Sequence, residues 1–195
     1  MEAAPGKLSL SAREQRQLFA RPLICIHPAA GSVMRQWPLE KFTALIDLLL
    51  DLEDYHVAVI GGPDEQDLAA QVLQQCGEDG VFNLTGRLSL DELPTLLAKS
   101  VLFVGNNSGP QHWAAAVGIP TIGIHSGVVD AREWGPSGLR AFAVRKDVTC
   151  SPCFLEFPEH CQRSLACLKD LPVSYVYRSC LEALGRSVPT LREHA

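Results

Sequence analysis

The chain has 195 residues, enough for one domain, or one and a fraction, with a sizeable core, and its 47% hydrophobic and 20% charged content excludes a disordered or fibrous class. Seventeen Lys and Arg against 22 Asp and Glu give a net charge of −5, and the basic residues are scattered, so the electrostatic footprint of a nucleic-acid-binding protein is missing. The start, MEAAPGKLSLSAREQ, has no apolar segment behind a basic flank, and the most hydrophobic run, LIDLLLDL at 45–52, is broken by Asp47 and Asp51, so a soluble, unexported, cytoplasmic protein without a transmembrane segment is expected.

Residues 1–21 read as a lead-in helix and linker, with a capping box at 11–14 in which Ser11 and Glu14 satisfy each other's exposed amides. Strand-like apolar runs then follow at 23–26, 57–60, 81–84, 101–105, 121–124 and 141–144, each apolar on consecutive residues as strands buried on both faces must be. Between them, Phe42, Leu45, Ile46, Leu49 and Leu52 mark one helical stripe, and Leu68, Ala69, Val72, Leu73 and Cys76 a second, with Gly77 as its stop. A third helix opens with a capping box at 89–92 and buries Leu93, Leu96 and Leu97. A last helix is expected at about 173–184, and residues 186–195 form a tail. Strand and helix in alternation predict an α/β fold, a Rossmann-like parallel sheet with helices on both faces, over 22–185.

In such sheets ligands bind beyond the carboxyl ends of the strands, where strand order reverses. After the first run, Ala29, Ala30, Gly31 and Ser32 let the backbone approach a ligand, and Arg35 offers a cation to a phosphate; a plain connecting loop is the alternative. After the second run, GGPDE at 61–65 puts Asp64 and Glu65 where Rossmann-type folds hold ribose hydroxyls, or alternatively makes Asp64 an N-cap and Glu65 a partner of the helix dipole. After the fourth, Ser108 can cap a helix that opens with Gly109 and Pro110, whose first-turn amides would receive an anion. His112 could add a hydrogen bond or a proton there, or be structural.

These segments, RQWP at 35–38, GGPDE at 61–65 and NNSGPQHWAAAVGIP at 106–120, followed by GVVDAREWGP at 127–136, together resemble the carboxyl-terminal half of the heptosyltransferases, glycosyltransferase family 9, over nearly all of 22–184. The resemblance implies one half of a GT-B architecture, in which this half binds the nucleotide-sugar donor, usually ADP-heptose. An amino-terminal half, not represented in this chain, would bind the acceptor, a lipopolysaccharide-core glycolipid or occasionally a protein, and would supply the general base. It implies that Arg35, where the family usually has Lys, meets the donor pyrophosphate, that Glu65 holds the ribose, and that Asn107, Ser108, Gly109 and His112 surround the pyrophosphate and the sugar. At 107 the family commonly has Asp. The expected activity is glycosyl transfer with no cofactor required, the isolated chain binding donor but transferring little. The alternatives are a nucleotide-sugar binding module without catalysis and a metal-stapled interaction domain.

Of seven cysteines, Cys25, Cys76 and Cys180 read as small core residues, while Cys150, Cys153, Cys161 and Cys167 crowd the Cys-rich loop at 147–170 with C-x2-C-x7-C-x5-C spacing. That spacing suits a structural zinc or iron ion, local disulfides, or free thiols. Some relatives that modify proteins carry a four-cysteine metal finger in this region, which adds weight to the ion.

Overall fold

A computed structural model describes residues 6–77 and 79–187. Six strands form one parallel sheet: β1 (Leu23–His27), β2 (His56–Val59), β3 (Val81–Asn83), β4 (Leu102–Asn106), β5 (Thr121–His125) and β6 (Ala141–Arg145), in the order β3-β2-β1-β4-β5-β6. Every residue of β1, β4 and β5 is buried, as the unbroken apolar runs require. The chain winds outward from β1 to β3, then returns to pair β4 beside β1, so strand order reverses between β1 and β4. A crevice opens at such a reversal because the two connections leave to opposite sides.

The helices are α1 (Ala12–Leu18), α2 (Leu39–Leu50), α3 (Gln66–Leu73), α4 (Leu93–Ala98), α5 (Gly109–Ala116), α6 (Ala131–Trp134), α7 (Ala166–Lys169) and α8 (Val173–Ala183). Alternate strand residues face opposite layers. Ile24, Ile26, Val57, Val59, Leu102 and Val104 pack under α2, α3 and α8, while Leu23, Cys25, Ala58, Ile60 and Phe103 pack under α1, α4 and α5. Leu8, Leu10 and Leu18 of the lead-in join the second layer, and the Ser11–Glu14 capping box is formed. Residues 1–5 and 188–195 of the expected lead-in and tail lie outside the described residues.

Four local expectations change. The α3 helix ends at Leu73 rather than at Gly77. Ser89 does not cap α4: its amide and hydroxyl both bond the Glu92 carboxylate in a turn ahead of the helix. Strands β3 and β6, the two sheet edges, are not buried on both faces: no residue of β3 is fully buried, and β6 has Val144 inside and Phe142 52% exposed. Ser108 occupies the N-cap of α5 but gives that helix no side-chain bond.

Candidate functional site

The loop after β1 is fixed from below. Asn106, the last residue of β4, accepts from the Trp37 amide at 2.9 Å and donates to the Pro28 carbonyl at 2.7 Å. Trp37 is fully buried, edge-on to Phe42, and its indole N–H reaches the Leu171 carbonyl at 3.2 Å. Arg35 is thereby held in a single 3-10 turn beside Gly31, its guanidinium 3.4 Å from where a Gly31 Cβ would stand. Among the described residues Arg35 pairs with no carboxylate. Ser32 is occupied as the cap of that turn, accepting from the Met34 amide at 3.2 Å.

After β2 the chain turns through Gly61 and Gly62, and Glu65 folds back so that its Oε2 accepts from the Gly62 amide at 2.7 Å. A Cβ on Gly61 would stand 2.6 Å from that oxygen, so a side chain there would push the Glu65 carboxylate out of this position. His27, the last residue of β1, lies between the loops: Nε2 is 3.1 Å from Glu65 Oε2 and Nδ1 is 3.0 Å from Ser108 Oγ. The His27 contact, followed by the Gly62 amide bond, outweighs the cost of burial and holds the Glu65 carboxyl below its ordinary range. The reading of Asp64 as an N-cap is not borne out, because no side chain caps α3.

Gly31, Glu65, Ser108, Gly109 and His27 line one cavity of about 490 Å³ together with Ile60, Leu84, Leu88 and Leu93. One end is apolar. The other carries a carboxylate, a hydroxyl and the first turn of α5, whose amides keep no side-chain cap.

Asn107 and His112 lie off the end of β4 with residues that sequence reading passed over. Gln111, fully buried, donates to Asn107 Oδ1 at 2.9 Å and to the Trp134 carbonyl at 3.2 Å, and its own oxygen lies 3.2 Å from His125 Nε2. Since Gln111 Oε1 can only accept, His125 carries its proton on Nε2 and keeps a lone pair on Nδ1. That Nδ1 and the Asn107 Nδ2 are buried without a hydrogen-bond partner. Burial, then the nearby charges of His112, Arg145 and Arg35, pushes His125 down to about 4. Arg35, Asn107 and His112 are not among the residues that line the cavity. Three of the missed residues shared one signal: His27, Asn106 and His125 are polar side chains ending strands β1, β4 and β5, whereas Gln111, inside α5, carried none.

A family model for glycosyltransferase family 9 (heptosyltransferase) matches residues 3–160. The chain belongs to this family. Lipopolysaccharide heptosyltransferase 3 of Escherichia coli is 36% identical over 115 residues, 58% of this chain and 33% of that protein. The fold is shared with E. coli ADP-heptose LPS heptosyltransferase II, at TM-score 0.73 and 22% identity over 91% of this chain and 53% of that one. It is also shared with TibC, an iron-containing dodecameric glycosyltransferase of enterotoxigenic E. coli, at TM-score 0.64 and 20% identity over 86% and 48%. The chain thus spans about half the length of these solved family members, and the match to the curated relative spans a third of it.

The zinc or iron centre, one of the three readings of the four-cysteine spacing, is not assembled in this structure. Cys150, Cys153, Cys161 and Cys167 are free thiols, and among the described residues no group of three or more His, Cys, Asp or Glu side chains is placed to hold a metal ion. They are neighbours all the same: Cys167 is raised above its ordinary value first by burial, then, against a lowering contact with the Gly127 backbone, by Cys161, Cys153 and Cys150. The Cys161 sulfur instead accepts from the Leu165 amide at 3.3 Å, and Cys150 faces solvent, so ligation would need the loop to draw all four to about 2.3 Å of one ion. Cys25 and Cys180, fully buried and both raised by burial, are core residues as expected. In native protein an aromatic disulfide reagent should modify Cys150 first and leave Cys25 and Cys180 unmodified until denaturant is added, as peptide mapping of the labelled chain would show.

Proposed function

We propose that this chain is the donor-binding half of a sugar-transferring enzyme and that it holds a nucleoside-diphosphate sugar, ADP-heptose, in the crevice between the ends of β1, β2 and β4. The observation that carries this is the convergence of Glu65, Ser108 and the uncapped first turn of α5 on one cavity at the strand-order reversal. Its apolar end, at Leu84, Leu88 and Leu93, fits a flat base, the Glu65 carboxylate accepts from ribose hydroxyls, and the α5 amides receive the diphosphate. Family membership and the name of the solved ADP-heptose enzyme support this choice of donor.

Sugar transfer breaks the bond between the anomeric carbon and the diphosphate, and negative charge grows on the departing ADP. In this reading Arg35, His112 and the α5 dipole meet that charge when the donor is bound, and stabilising it more in the transition state than in the bound donor is what lowers the barrier. The acceptor, a lipopolysaccharide-core sugar or another hydroxyl, and the base that takes its proton belong to the acceptor half of the family architecture. The chain alone is therefore expected to bind donor and to transfer little. Arg35→Ala should weaken ADP binding by roughly 1.5 to 3 kcal/mol, the range for a hydrogen bond to a charged group, as calorimetry would read. Unchanged affinity would place the guanidinium away from the diphosphate.

One observation favours a binding module without catalysis: residue 107 is a neutral Asn, buried and tied to Gln111, so no carboxylate stands there. Donor turnover when an acceptor half is supplied separates the two readings.

A further inference from the structure

His27 has no role in the donor contacts above, yet it is the side chain around which they are arranged. It is 3% exposed at the end of β1, and Gly105 on the adjacent strand makes room for it: a Cβ there would stand 2.8 Å from the His27 carbonyl oxygen and 3.1 Å from its Cβ. Both ring nitrogens are engaged, Nε2 with Glu65 Oε2 and Nδ1 with Ser108 Oγ. An ionised carboxylate only accepts, so Nε2 carries a proton. The Ser108 hydroxyl lies 3.1 Å from the Asn106 carbonyl oxygen as well, so its own proton points to that carbonyl when Nδ1 is protonated and to Nδ1 when it is not. On Glu65, the His27 and Gly62 bonds both fall on Oε2, and among the described residues Oε1 takes none.

We propose that His27 is a positioning residue that fixes Glu65 by one oxygen, leaving the other for a ribose diol, while it orients Ser108 at the mouth of α5, and so couples the ribose and diphosphate ends of one nucleotide. The inference rests on the donor reading. It assigns a cost to losing His27 that depends on the ligand: a nucleotide without ribose hydroxyls cannot use a well-placed Glu65 and should not notice whether the carboxylate is held.

The test is calorimetry of wild type and His27→Ala with ADP and with 2′,3′-dideoxy-ADP. Wild type should prefer ADP by about tenfold, the order of one charge-assisted hydrogen bond. His27→Ala should lose most of that preference, weakening ADP about tenfold and the dideoxy nucleotide less than about twofold. A merely structural histidine would weaken both ligands alike and leave their ratio intact, which overturns the proposal. Should His27→Ala not fold, Ser108→Ala reads the same coupling. It leaves the α5 cap unchanged and frees the ring at Nδ1, so the ADP preference should fall about threefold although Ser108 is not assigned to the ribose. An unchanged preference in Ser108→Ala overturns the coupling. Equal wild-type affinity for the two nucleotides also overturns it and leaves the donor reading standing, whereas no binding of either removes both.

Discussion

Trp37→Ala is expected to lower the unfolding free energy by about 3 to 5 kcal/mol, the range for truncating a fully buried aromatic side chain. The ring is wholly enclosed between the first helical layer and the loop after β1, edge-on to Phe42 with centroids 5.1 Å apart. Truncation opens a cavity under α2 and removes the indole bond to the Leu171 carbonyl, which keeps a second donor, the Lys41 ammonium, at 2.9 Å. The loss is therefore chiefly one of packing. Leu139→Ala, at a fully exposed side chain, is the control and should stay within about 0.5 kcal/mol. Urea unfolding of the two variants checks both, and a Trp37→Ala cost below about 1 kcal/mol would mean that the loop carrying Arg35 is seated by something other than this ring.

Acid should remove a second large contribution at His125. Its folded value is depressed from 6.5 to about 4, so above pH 6.5 neither the folded nor the unfolded chain binds the proton and its contribution is constant. Between 6.5 and about 4 the unfolded chain takes up a proton that the folded chain refuses, and stability falls as the pH falls; below about 4 both bind it and the slope ends. At 1.36 kcal/mol for each pH unit of that window, the loss is about 3 kcal/mol. Glu65, also depressed, adds a loss of the same sign only where the pH falls through the carboxylate range. Urea unfolding from pH 7 to pH 4 should show the slope in wild type and a flatter one in His125→Gln. Parallel profiles would mean that His125 is not held neutral by burial.

The sheet and its helices were readable because buried parallel strands and amphipathic helices each impose a period on the sequence, and all six apolar runs became strands. Edge and end effects were not readable in the same way. Phe142 sits in a run as apolar as the others, and only the strand order makes it an edge residue. The helix ends were misplaced at Gly77, which lies beyond the actual end of α3 at Leu73, and at Ser89, which bonds Glu92 in a local turn; at α5 the cap residue Ser108 turns to His27 instead of to its own helix, a competition the local pattern does not mark. Within the site, Gly31, Glu65, Ser108 and Gly109 were found from their places after strands, and the structure gathers them in one cavity. The tie between them was invisible, since His27 and Glu65 are 38 residues apart and nothing local marks their pairing.

Donor binding is tested most directly by titrating the purified chain with ADP, and with UDP for comparison, in a calorimeter. The crevice predicts a saturable heat with ADP at or below millimolar concentration and affinity for UDP weaker by at least about tenfold, since the smaller base fills less of the apolar end at Leu84, Leu88 and Leu93. Absence of heat with both nucleotides at millimolar concentration would contradict a donor site in this crevice.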